Sequence, residues 1–492
     1  MRSFIQTIAP LPTQSFIRMP PTVKRALLIL VIILMAPLYT ASAEPGARQL
    51  SLKECISIAL DNATSVRKAG NNLKLEGTDV LKSYGAFLPR LTLSGSYVPR
   101  SVSQSYNALT YGITSGSKVK MESQSLGLGL TASLNLFNGL SDYASLQSAL
   151  DLKGAAGLSL QRAKETIVFD ITQHYYQALL DRELLGIARE NLQTSNDLLT
   201  LTDRQYQVGL KSLTDLYQQQ AEVAGNTLTL IKAENQSRKS GLELLRRLRL
   251  DPLTELSLEP VETSGLESLS PTVDIAGLAA ESLKNRADLE AGRLQADAAR
   301  WQVRSAAGSR LPKLDLALSA SSNGIDYYRL TTGGMSVDYP YPPLGTQLAN
   351  GIGYSLSLNL TWAIFDGFQS RYAVQTARTG WLNRQLDYEE LKDGIVLDLQ
   401  QAAGDYRAAF TQITASKASL RAASAAFNAV QRKYELGAAG FVELSNARAT
   451  LFNAKSNMTQ ASYNLALQKA LLDYTSGRSD IGQQDNALPP TP

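Results

Sequence analysis

Cysteine and histidine are almost absent from this sequence of 492 residues, which contains only Cys55 and His174. One cysteine cannot form an internal disulfide, and the two residues cannot supply a cysteine-rich metal site or most histidine-based catalytic sites. Nucleophile elbows, phosphate-binding loops, dinucleotide fingerprints and the HExxH motif are also missing. We therefore predict that the chain is not an enzyme, needs no cofactor or metal, and packs both side chains between helices.

An excess of charge is missing as well. The chain has 48 basic and 44 acidic side chains, and the difference equals the four basic residues Arg2, Arg18, Lys24 and Arg25. Residues 1–43 contain these four and no acid, so the remainder is neutral. Nucleic-acid-binding domains carry a basic excess. The balance therefore predicts no nucleic-acid partner.

The first 43 residues read as a cleaved secretory signal. A basic stretch precedes the apolar run 26–36, and the small residues 41–43 come just before Glu44. This order is typical of signal peptides. An uncleaved anchor is the alternative, although the run is short for a bilayer. No run of about 18 apolar residues follows Glu44, so any membrane-embedded part of the remainder has to be a closed β-barrel.

The sequence repeats its own plan once. An offset of 223 residues relates the segments before a central interval, and an offset of 228 relates those after it. The five-residue step falls between Tyr97 and Ser125 in the first half and between Ala320 and Tyr354 in the second. Because insertions are tolerated in exposed loops, we expect this interval to be a loop in both halves. The matching segments are 88–93 with 311–316, 137–139 with 365–367, and 206–209 with 434–437.

Leucine alternates with small polar residues on both sides of each interval. This period of two predicts β-hairpins over 91–137 and 314–364, or four strands in the chain. An apolar face opposite a small polar face is typical of a barrel strand between lipid and water. An amphipathic hairpin on a soluble core is the alternative. The apolar rows are Leu91, Leu93, Leu126, Leu128, Leu130, Leu134 and Leu136, then Leu314, Leu316, Leu318, Leu356, Leu358, Leu360 and Trp362.

Long helices follow each hairpin. Proline is absent between Gly139 and Gly209 and between Gly367 and Gly437, and apolar residues recur there every seven positions. Each stretch predicts one helix of about 65–70 residues, roughly 100 Å long, in coiled-coil packing. We call the recurring positions the heptad rows. They are Ile171, Ala178, Leu185, Leu192, Leu199 and Tyr206, then Leu399, Tyr406, Ile413, Leu420, Phe427 and Tyr434.

Shorter helices are predicted over 52–85, 213–248, 275–307 and 442–474. The domain plan is a signal at 1–43, a first repeat at 44–250, a connector at 251–272, a second repeat at 273–478 and a flexible tail at 479–492. Four strands cannot seal a barrel, so copies of the chain have to share one. Two copies give eight strands and three give twelve. The small side chains of the polar face suit an open lumen and favour three.

These features together resemble the TolC-type outer-membrane factor family of Gram-negative bacteria. The resemblance covers roughly residues 50–477 and rests on the joint order of the repeat, the Leu-Pro strand entries, the Phe-x-Gly strand exits and the Tyr-x-x-Gly helix ends. It implies a mixed α/β membrane protein. That protein is a homotrimer with a twelve-stranded transmembrane β-barrel, four strands per chain, and a long α-helical barrel that crosses the periplasm.

The resemblance also implies a function. The trimer would sit in the lipid of the outer membrane and serve as the exit duct of a tripartite efflux pump or a type I secretion system. A periplasmic adaptor would join it to an inner-membrane transporter, either a proton-driven pump or an ABC transporter. A stand-alone porin or adhesin, and a soluble periplasmic scaffold, are the alternatives.

Residues at the helix ends acquire expected roles from the resemblance. Thr214, Asp215 and Tyr434 match positions that link neighbouring coiled coils and close the periplasmic end of the duct. Glu443 matches an acidic ring that selects cations, although an acid in the first turn of a helix is also favoured by the helix dipole.

Two positions depart from the family pattern. Ala439 replaces a basic linking residue and Asn446 replaces a second acidic ring. A more weakly latched and less cation-selective gate is therefore expected. Gly209 and Gly437 suit the left-handed position that ends a helix, which is a turn role only.

Aromatic residues mark the strand ends. Phe137 and Phe365 stand at the exits of the second strands, and Trp362 continues the last apolar row. Aromatic side chains are common at membrane interfaces, and we predict that role for all three.

Overall fold

The computed structural model describes residues 49–106, 118–254, 256–261, 272–332, 335–337 and 340–478. The predicted signal at 1–43 and the predicted tail at 479–492 lie outside these ranges. The helices are α1 (Leu52–Asn62), α2 (Thr64–Gly85), α3 (Ser141–Gln207), α4 (Leu213–Leu248), α5 (Ile275–Asn285), α6 (Ala287–Gly308), α7 (Leu344–Asn350), α8 (Gln369–Glu435) and α9 (Phe441–Thr475). The strands are β1 (Gln49–Leu50), β2 (Arg90–Tyr106), β3 (Lys118–Phe137), β4 (Ser257–Leu258), β5 (Lys313–Thr332), β6 (Met335–Val337) and β7 (Gly353–Thr361).

Membrane-spanning helices were sought in the described ranges. None of the helices there is both long enough and apolar enough to cross a bilayer.

Four antiparallel strands run side by side in the order β2, β3, β5, β7. Leu93 pairs with Leu130, which pairs in turn with Ala320. Because paired residues point to the same face, the alternating leucines of all four strands form one apolar band. The band is open in the single chain, where Leu93 is 78% exposed and Leu356 is 71% exposed.

The opposite face of the sheet carries small polar side chains. Asn135 donates from Nδ2 to Oδ1 of Asp315 over 2.9 Å. The hydroxyls of Ser319 and Ser355 share a hydrogen bond of 2.7 Å. Cross-strand pairs of this kind stabilise the sheet while keeping its second face hydrophilic.

The prediction of a loop throughout each central interval was wrong. In the first half β2 continues to Tyr106 and β3 already begins at Lys118. A bulge between Val98 and Ser101 absorbs an extra residue without ending the strand. In the second half β5 continues to Thr332, and its outer edge pairs with β7 near one end and with β6 near the other.

Both long helices agree with the sequence prediction, since α3 and α8 have 67 residues each. Each begins after a two-residue left-handed turn, with φ of 69° at Gly139 and 62° at Leu140, then 63° at Gly367 and 68° at Phe368. Residues other than glycine rarely adopt this backbone conformation, because it costs them about 1–2 kcal/mol. Leu140 and Phe368 adopt it although each is 64% exposed, so the two repeats share one backbone path from strand to long helix.

Two of the predicted shorter helices are broken. Ala63 takes extended backbone angles between α1 and α2, and Arg286 does the same between α5 and α6. Neither residue is a helix breaker. The break lets α1 turn into the core while α2 follows α3, and the buried Arg286 side chain forms an ion pair with Asp288 over 2.6 Å.

The largest apolar cluster lies midway along the helices. Cys55 of α1, Tyr175 of α3 and Leu244 of α4 are completely buried there. The connector also contributes, because Tyr175 donates from its hydroxyl to the carbonyl of Glu259 over 2.7 Å and Leu258 of β4 is buried. Residues 255 and 262–271 of the predicted connector lie outside the description.

The two halves differ in how their helices are partnered. Helix α6 packs against both α3 and α8, whereas α2, its counterpart in the first half, packs mainly against α3. In the sheet, β3 and β5 are each paired on both sides, while β2 forms one edge and β7, with the short β6 farther along the same side of β5, forms the other. The helices α2 and α8 and the strands β2 and β7 therefore each lack a neighbour that their counterparts in the other repeat have.

Candidate gate at the helical tip

The ends of the helix pairs farthest from the sheet form the tip. There α3 turns into α4, and α8 turns into α9. Gly209 has a φ of 79° and Gly437 a φ of 74°. Each is followed by a backbone hydrogen bond that closes the helix end, from Leu210 to Gln205 and from Ala438 to Lys433, both 2.7 Å long. These are Schellman motifs, and both glycines lie at the left-handed position that the sequence predicted.

A capping box starts α4. Asp215 donates its backbone N–H to the Ser212 hydroxyl over 3.1 Å, and its carboxylate accepts from the Ser212 backbone over 3.1 Å. The Ser212 hydroxyl hydrogen bond holds the pKa of the Asp215 carboxyl below its usual value. The first tip turn is therefore closed by backbone hydrogen bonds at the end of α3 and by a side-chain capping box at the start of α4.

The second tip turn has no such cap. Helix α9 begins after Gly440, which offers no side chain to the first turn. Glu443, the counterpart of Asp215, is exposed. Among the described residues Glu443 forms no hydrogen bond or ion pair, so its carboxylate is free to face water or a passing cation.

Tyr434 joins the two turns. Its side chain is only 1% exposed, and its hydroxyl shares a 3.1 Å hydrogen bond with Thr202 of α3. The Lys211 ammonium of the first turn lies 3.9 Å from the centre of the Tyr434 ring. A cation over a tyrosine face is stabilising by about 0.5–2 kcal/mol, more as it becomes desolvated.

A small apolar cluster lies directly behind the turns. Leu198 of α3, Phe427 and Tyr434 of α8, Ala439 of the turn and Leu444 of α9 are all buried in it. These residues come from both helix pairs. Packing at the tip thus holds the helix pair α8 and α9 against α3, in addition to holding α8 and α9 against each other.

Polar ties continue the attachment farther from the turns. Gln219 of α4, which is fully buried, donates to the backbone carbonyl of Ser195 over 2.9 Å. Asn226 donates to the Ser195 hydroxyl over 3.1 Å and accepts from Asn191 over 3.0 Å. This network holds α3 and α4 together as one hairpin.

A buried ion pair links α4 to α9. The Arg448 guanidinium, in a residue that is only 4% exposed, contacts the Glu222 carboxylate. Glu222 also accepts from the Ser445 hydroxyl over 3.0 Å. Burial lowers the pKa of the Arg448 guanidinium to about 10, so the group is still charged at neutral pH and depends on its partner.

The predicted gate residues all lie at the tip, in different surroundings. Thr214 and Glu443 are exposed, Asp215 is half-buried and Tyr434 is buried. The hydroxyl of Tyr434 bonds to Thr202 and the carboxylate of Asp215 bonds to Ser212, so each has a partner within its own chain.

Sequence reasoning missed Lys211, Thr202, Glu222 and Arg448. One signal was available for Arg448. It lies four residues after Leu444 and three before Leu451, on the apolar side of α9. A charged residue in such a row needs a buried partner.

The predicted interface aromatics lie where the strands give way to the long helices. Phe137 is 39% exposed, Trp362 is 59% exposed and Phe365 is 76% exposed. The indole of Trp362 donates to the carbonyl of Arg310 over 3.2 Å. An apolar ring with a polar contact at its rim suits a membrane interface, and this role stays a prediction.

Metal-binding clusters were also sought. Over the ranges that the structure covers, no group of three or more His, Cys, Asp or Glu side chains is arranged to hold a metal ion.

A family model described as Outer membrane efflux protein matches residues 55–248 and 278–478. The two matched segments contain one repeat each and include both tip turns. The chain belongs to the outer membrane efflux protein family. Members of this family are outer-membrane channels, and the predicted resemblance and the predicted fold class of a helical barrel with a β domain are confirmed.

Individual relatives are distant but cover most of this outer membrane efflux protein. Identity with outer membrane protein TolC of Escherichia coli strain K12 is 24% over 359 residues, or 72% of this chain and 70% of TolC. Identity with TolC of Vibrio cholerae is 21% over 457 residues, which cover 93% of this chain and 96% of that protein.

Solved structures show the same fold. The outer membrane channel CmeC of Campylobacter jejuni aligns with a TM-score of 0.72 and 16% sequence identity, over 88% of each chain. The predicted function and the predicted location are therefore confirmed. The protein is an efflux duct of the outer membrane.

Proposed function

We propose that three copies of this chain close into one continuous duct, with a twelve-stranded barrel in the outer membrane and a helical barrel in the periplasm. The open elements support this arrangement. Strands β2 and β7 are the two free edges of the sheet, and lipid does not tolerate an unpaired edge. Pairing β7 with β2 of the next copy repeats the β3–β5 contact, and packing α8 against α2 of the next copy repeats the α3–α6 contact.

One observation carries this proposal. A Cβ placed on Gly139 would lie only 2.4 Å from the Gly308 carbonyl oxygen, so the turn before α3 and the end of α6 touch through glycines. The offsets of the repeat make Gly367 and Gly85 the counterparts. Nothing lies within 4 Å of a Cβ at either of these two. Gly85 has no positive φ, so its own chain does not explain why glycine stands there. A neighbouring copy does.

The number three follows from the width of the lumen. Two copies would give eight strands, and side chains fill a barrel of that size. Three copies give twelve strands, and the small polar face found on this sheet then lines an open channel. Closed rings with cyclic symmetry are the usual outcome of such head-to-tail contacts.

The duct acts passively in this proposal, with no catalytic step of its own. A periplasmic adaptor and an inner-membrane transporter supply the cargo and the energy. Two relatives from Pseudomonas putida support a pump partner by their names, the pyoverdine export outer membrane protein OpmQ and the probable efflux pump outer membrane protein TtgC. A proton-driven pump and an ABC transporter both fit.

The tip is the gate of the proposed duct. Tyr434 and Asp215 hold its turns in the closed packing, and Thr214 is exposed where the next copy begins. Glu443 lies free at the start of α9, where three copies would form an acidic ring that attracts cations. Opening is a shift between two packed arrangements of the helices.

Conductance in planar lipid bilayers tests the proposal. The wild-type protein should show a small closed-state conductance, and Asp215→Ala and Tyr434→Phe should each raise it severalfold. Unchanged conductance in both variants would remove these residues from the gate. Absence of any channel would contradict the duct itself. Failure to capture an adaptor by crosslinking at the tip, with channel activity intact, would favour a stand-alone porin.

A further inference from the structure

The apolar face of the sheet changes its chemistry toward the strand ends farthest from the helices. On β3 this face carries leucines between positions 136 and 126, and the same face continues with Gln124, Glu122, Lys120 and Lys118. The opposite face changes in the reverse sense, since the glycines and serines at 123–129 are followed by apolar residues at 121 and 119. The part of the strand that suits lipid on its leucine side therefore ends at Leu126.

The length of the leucine band sets the depth of these polar residues. Leu136 and Leu126 are ten positions apart, which is roughly 34 Å of strand and about 26 Å of height at a tilt of about 40°. Outer-membrane barrels have an apolar band about 25 Å tall, so the leucines span the hydrocarbon. Tyr97, which pairs with Leu126, lies at the outer rim and donates from its hydroxyl to Gln124 over 3.3 Å. Residues beyond Gln124 therefore lie among lipid headgroups.

Basic side chains from three strands meet at this depth. Nη2 of Arg100 in β2 lies 3.2 Å from Oε2 of Glu122, and Nζ of Lys120 lies 2.7 Å from Oε1 of the same carboxylate. Arg329 of β5 is paired with Glu122 in the sheet and therefore points to the same face. Lys118 lies two positions beyond Lys120 on that face of β3. We call these four basic residues the basic collar.

The basic collar carries more positive charge than its surroundings neutralise. Glu122 is only 3% exposed and lies between two basic partners, whereas the Arg100 side chain is 63% exposed. Asp326 is the other acid of this face in the described ranges, and it accepts a hydrogen bond of 2.8 Å from β3. Arg329 and Lys118 are exposed and form no ion pair within those ranges. Four cations against two carboxylates leave an excess of two positive charges on this face of each chain.

We propose that the basic collar binds the phosphates of a glycolipid in the outer leaflet of the outer membrane. The helices of the duct extend into the periplasm, so the collar lies in the opposite leaflet. Arginine binds two phosphate oxygens through its planar fork, and lysine adds a point charge. Basic clusters beside a membrane recognise phosphorylated headgroups in this way. The inference goes beyond the proposed duct and rests on it only for the orientation of the sheet in the membrane.

The width of the collar selects the kind of headgroup. Its cations lie on three adjacent strands, so they spread over about 10 Å at about 4.8 Å per strand. This distance exceeds the size of one phosphate. A sugar headgroup with two phosphates can contact both sides of the collar at once, whereas a glycerol headgroup with one phosphate can contact only one side. Glu122 positions Arg100 and Lys120 on the first side, and Arg329 forms the second.

Matched double variants test the basic collar. K118Q/R329Q removes the two cations that have no ion pair in the described ranges, so the contacts of Glu122 stay intact. R90Q/K313Q also removes one arginine and one lysine, but these lie at the other end of β2 and β5, on the opposite face of the sheet. Both variants lose two positive charges. A difference between them therefore reports the position of the charge and not its amount.

Native mass spectrometry of detergent-solubilised protein with added diphosphoryl lipid A measures the binding. Wild-type protein and R90Q/K313Q should bind lipid A with affinities that agree within about twofold, whereas K118Q/R329Q should bind it at least about tenfold more weakly. Equal affinity in all three proteins would overturn the proposal.

Three other probes identify the ligand chemistry on the wild-type protein. Dephosphorylated lipid A and phosphatidylglycerol should each bind at least about tenfold more weakly than diphosphoryl lipid A. Millimolar inorganic phosphate should not displace the bound lipid A. Equal binding of phosphatidylglycerol would show a surface for any anionic lipid, and displacement by inorganic phosphate would show a free-anion site. Either result, or equal binding of the dephosphorylated lipid, would overturn the glycolipid site.

The same spectra keep this inference separate from the proposed ring. All four collar residues belong to one chain, so bound lipid A can be counted on particles of any size. Particles of three chains that bind lipid A without help from the collar would keep the duct and overturn the site. Particles of one chain whose lipid A binding is lost in K118Q/R329Q would support the site and contradict the ring.

Discussion

The two halves of the chain build the same elements, yet their heptad rows are buried to different extents. In α8 five of the six row residues are buried, including Tyr434 at the tip, which is 1% exposed, whereas in α3 only Ile171 and Ala178 are buried and the row ends at Tyr206, which is 38% exposed. Two helices of equal length and equal apolar spacing therefore have different surroundings. Helix α3 of the first half covers the end of the α8 row, whereas no residue in the described ranges covers Tyr206 at the end of the α3 row in the same way.

The difference teaches where the missing partner belongs. In the second half the tip cluster includes Leu198 of α3, the long helix of the other repeat. By the offset of 228, the corresponding cluster of the first half would include Ala426 from the α8 helix of another copy. The first half therefore lacks a packing partner that a second copy of the chain can supply. The contacts observed in the second half identify, by the offset of 228, the residues of that copy that would supply it.

The largest effect is expected from closing the space at Gly85. Gly85→Val should leave the chain folded but abolish the ring, because the side chain would enter the space that the neighbour's strand exit needs. Detergent-solubilised protein should then run as single chains in light scattering. Gly186→Val is the control, since Thr414 already carries a side chain at its counterpart. Trimer in both variants would contradict the pairing of Gly85 with Gly367.

The next largest effect concerns two ion pairs that join α3 and α4 to α9, namely Glu222 with Arg448 and Glu190 with Lys455. Glu222→Gln leaves Arg448 buried without a charge partner and should lower the free energy of unfolding by about 3–5 kcal/mol. Glu190→Gln breaks an exposed pair, with Glu190 60% exposed, and should cost less than about 1 kcal/mol. Denaturant titration of both variants measures the loss in free energy of unfolding. Equal losses would show that the Glu222–Arg448 pair contributes no more than an exposed ion pair.

A smaller effect separates the two tip turns. Ser212→Ala removes the cap of α4 and should cost about 1 kcal/mol, whereas Gly440→Ser, at the N-cap of α9, should change stability by only a few tenths of a kcal/mol. Amide hydrogen exchange in residues 213–216 and 441–444 reports the local opening. Faster exchange confined to 213–216 in the first variant is the expected result, and no change there would contradict the capping box.

The same cap should respond to acid. The pKa of Asp215 is lowered by Ser212, so its contribution is complete above the unfolded value of about 3.9 and is lost as pH falls through the folded value. The protection of the amides at the start of α4, corrected for the intrinsic exchange rate at each pH, should therefore decrease below about pH 4. Protection at the start of α9, which Asp215 does not cap, should not follow it. A start of α4 that is unaffected by acid would contradict the assignment.

The smallest effect is expected at Cys55. Burial, with Glu54 beside it, raises the pKa of the thiol to about 11. A neutral, buried thiol reacts slowly, so thiol reagents at pH 7.5 should label less than about one tenth of the native protein within an hour. Denaturant should make labelling complete. Rapid native labelling would show that the core around α1 opens.

Much of the fold could be predicted because it depends on periodicity. The alternating leucines gave the sheet, and the proline-free heptad rows gave two helices of about the right length. The breaks at Ala63 and Arg286 could not be predicted, since both residues are ordinary in helices and only tertiary packing bends the chain there. Strand β4 was missed for a different reason. A strand of two residues is too short to show a periodic pattern.

The tip was predicted in outline and missed in its contacts. Gly209 and Gly437 could be placed because a left-handed turn needs glycine. The roles of Thr214, Asp215, Tyr434 and Glu443 came from resemblance and stay predictions. Lys211 and Glu222 could not be found from sequence, since their importance depends on how four helices meet in three dimensions.

Particle mass in mild detergent, measured by multi-angle light scattering and native mass spectrometry, tests the central claim most directly. The account predicts three chains per particle, because β2, β7, α2 and α8 are each left with an open side that a copy of the chain can cover. A monodisperse particle of one chain, with the leucine band and both strand edges still stable, would contradict it.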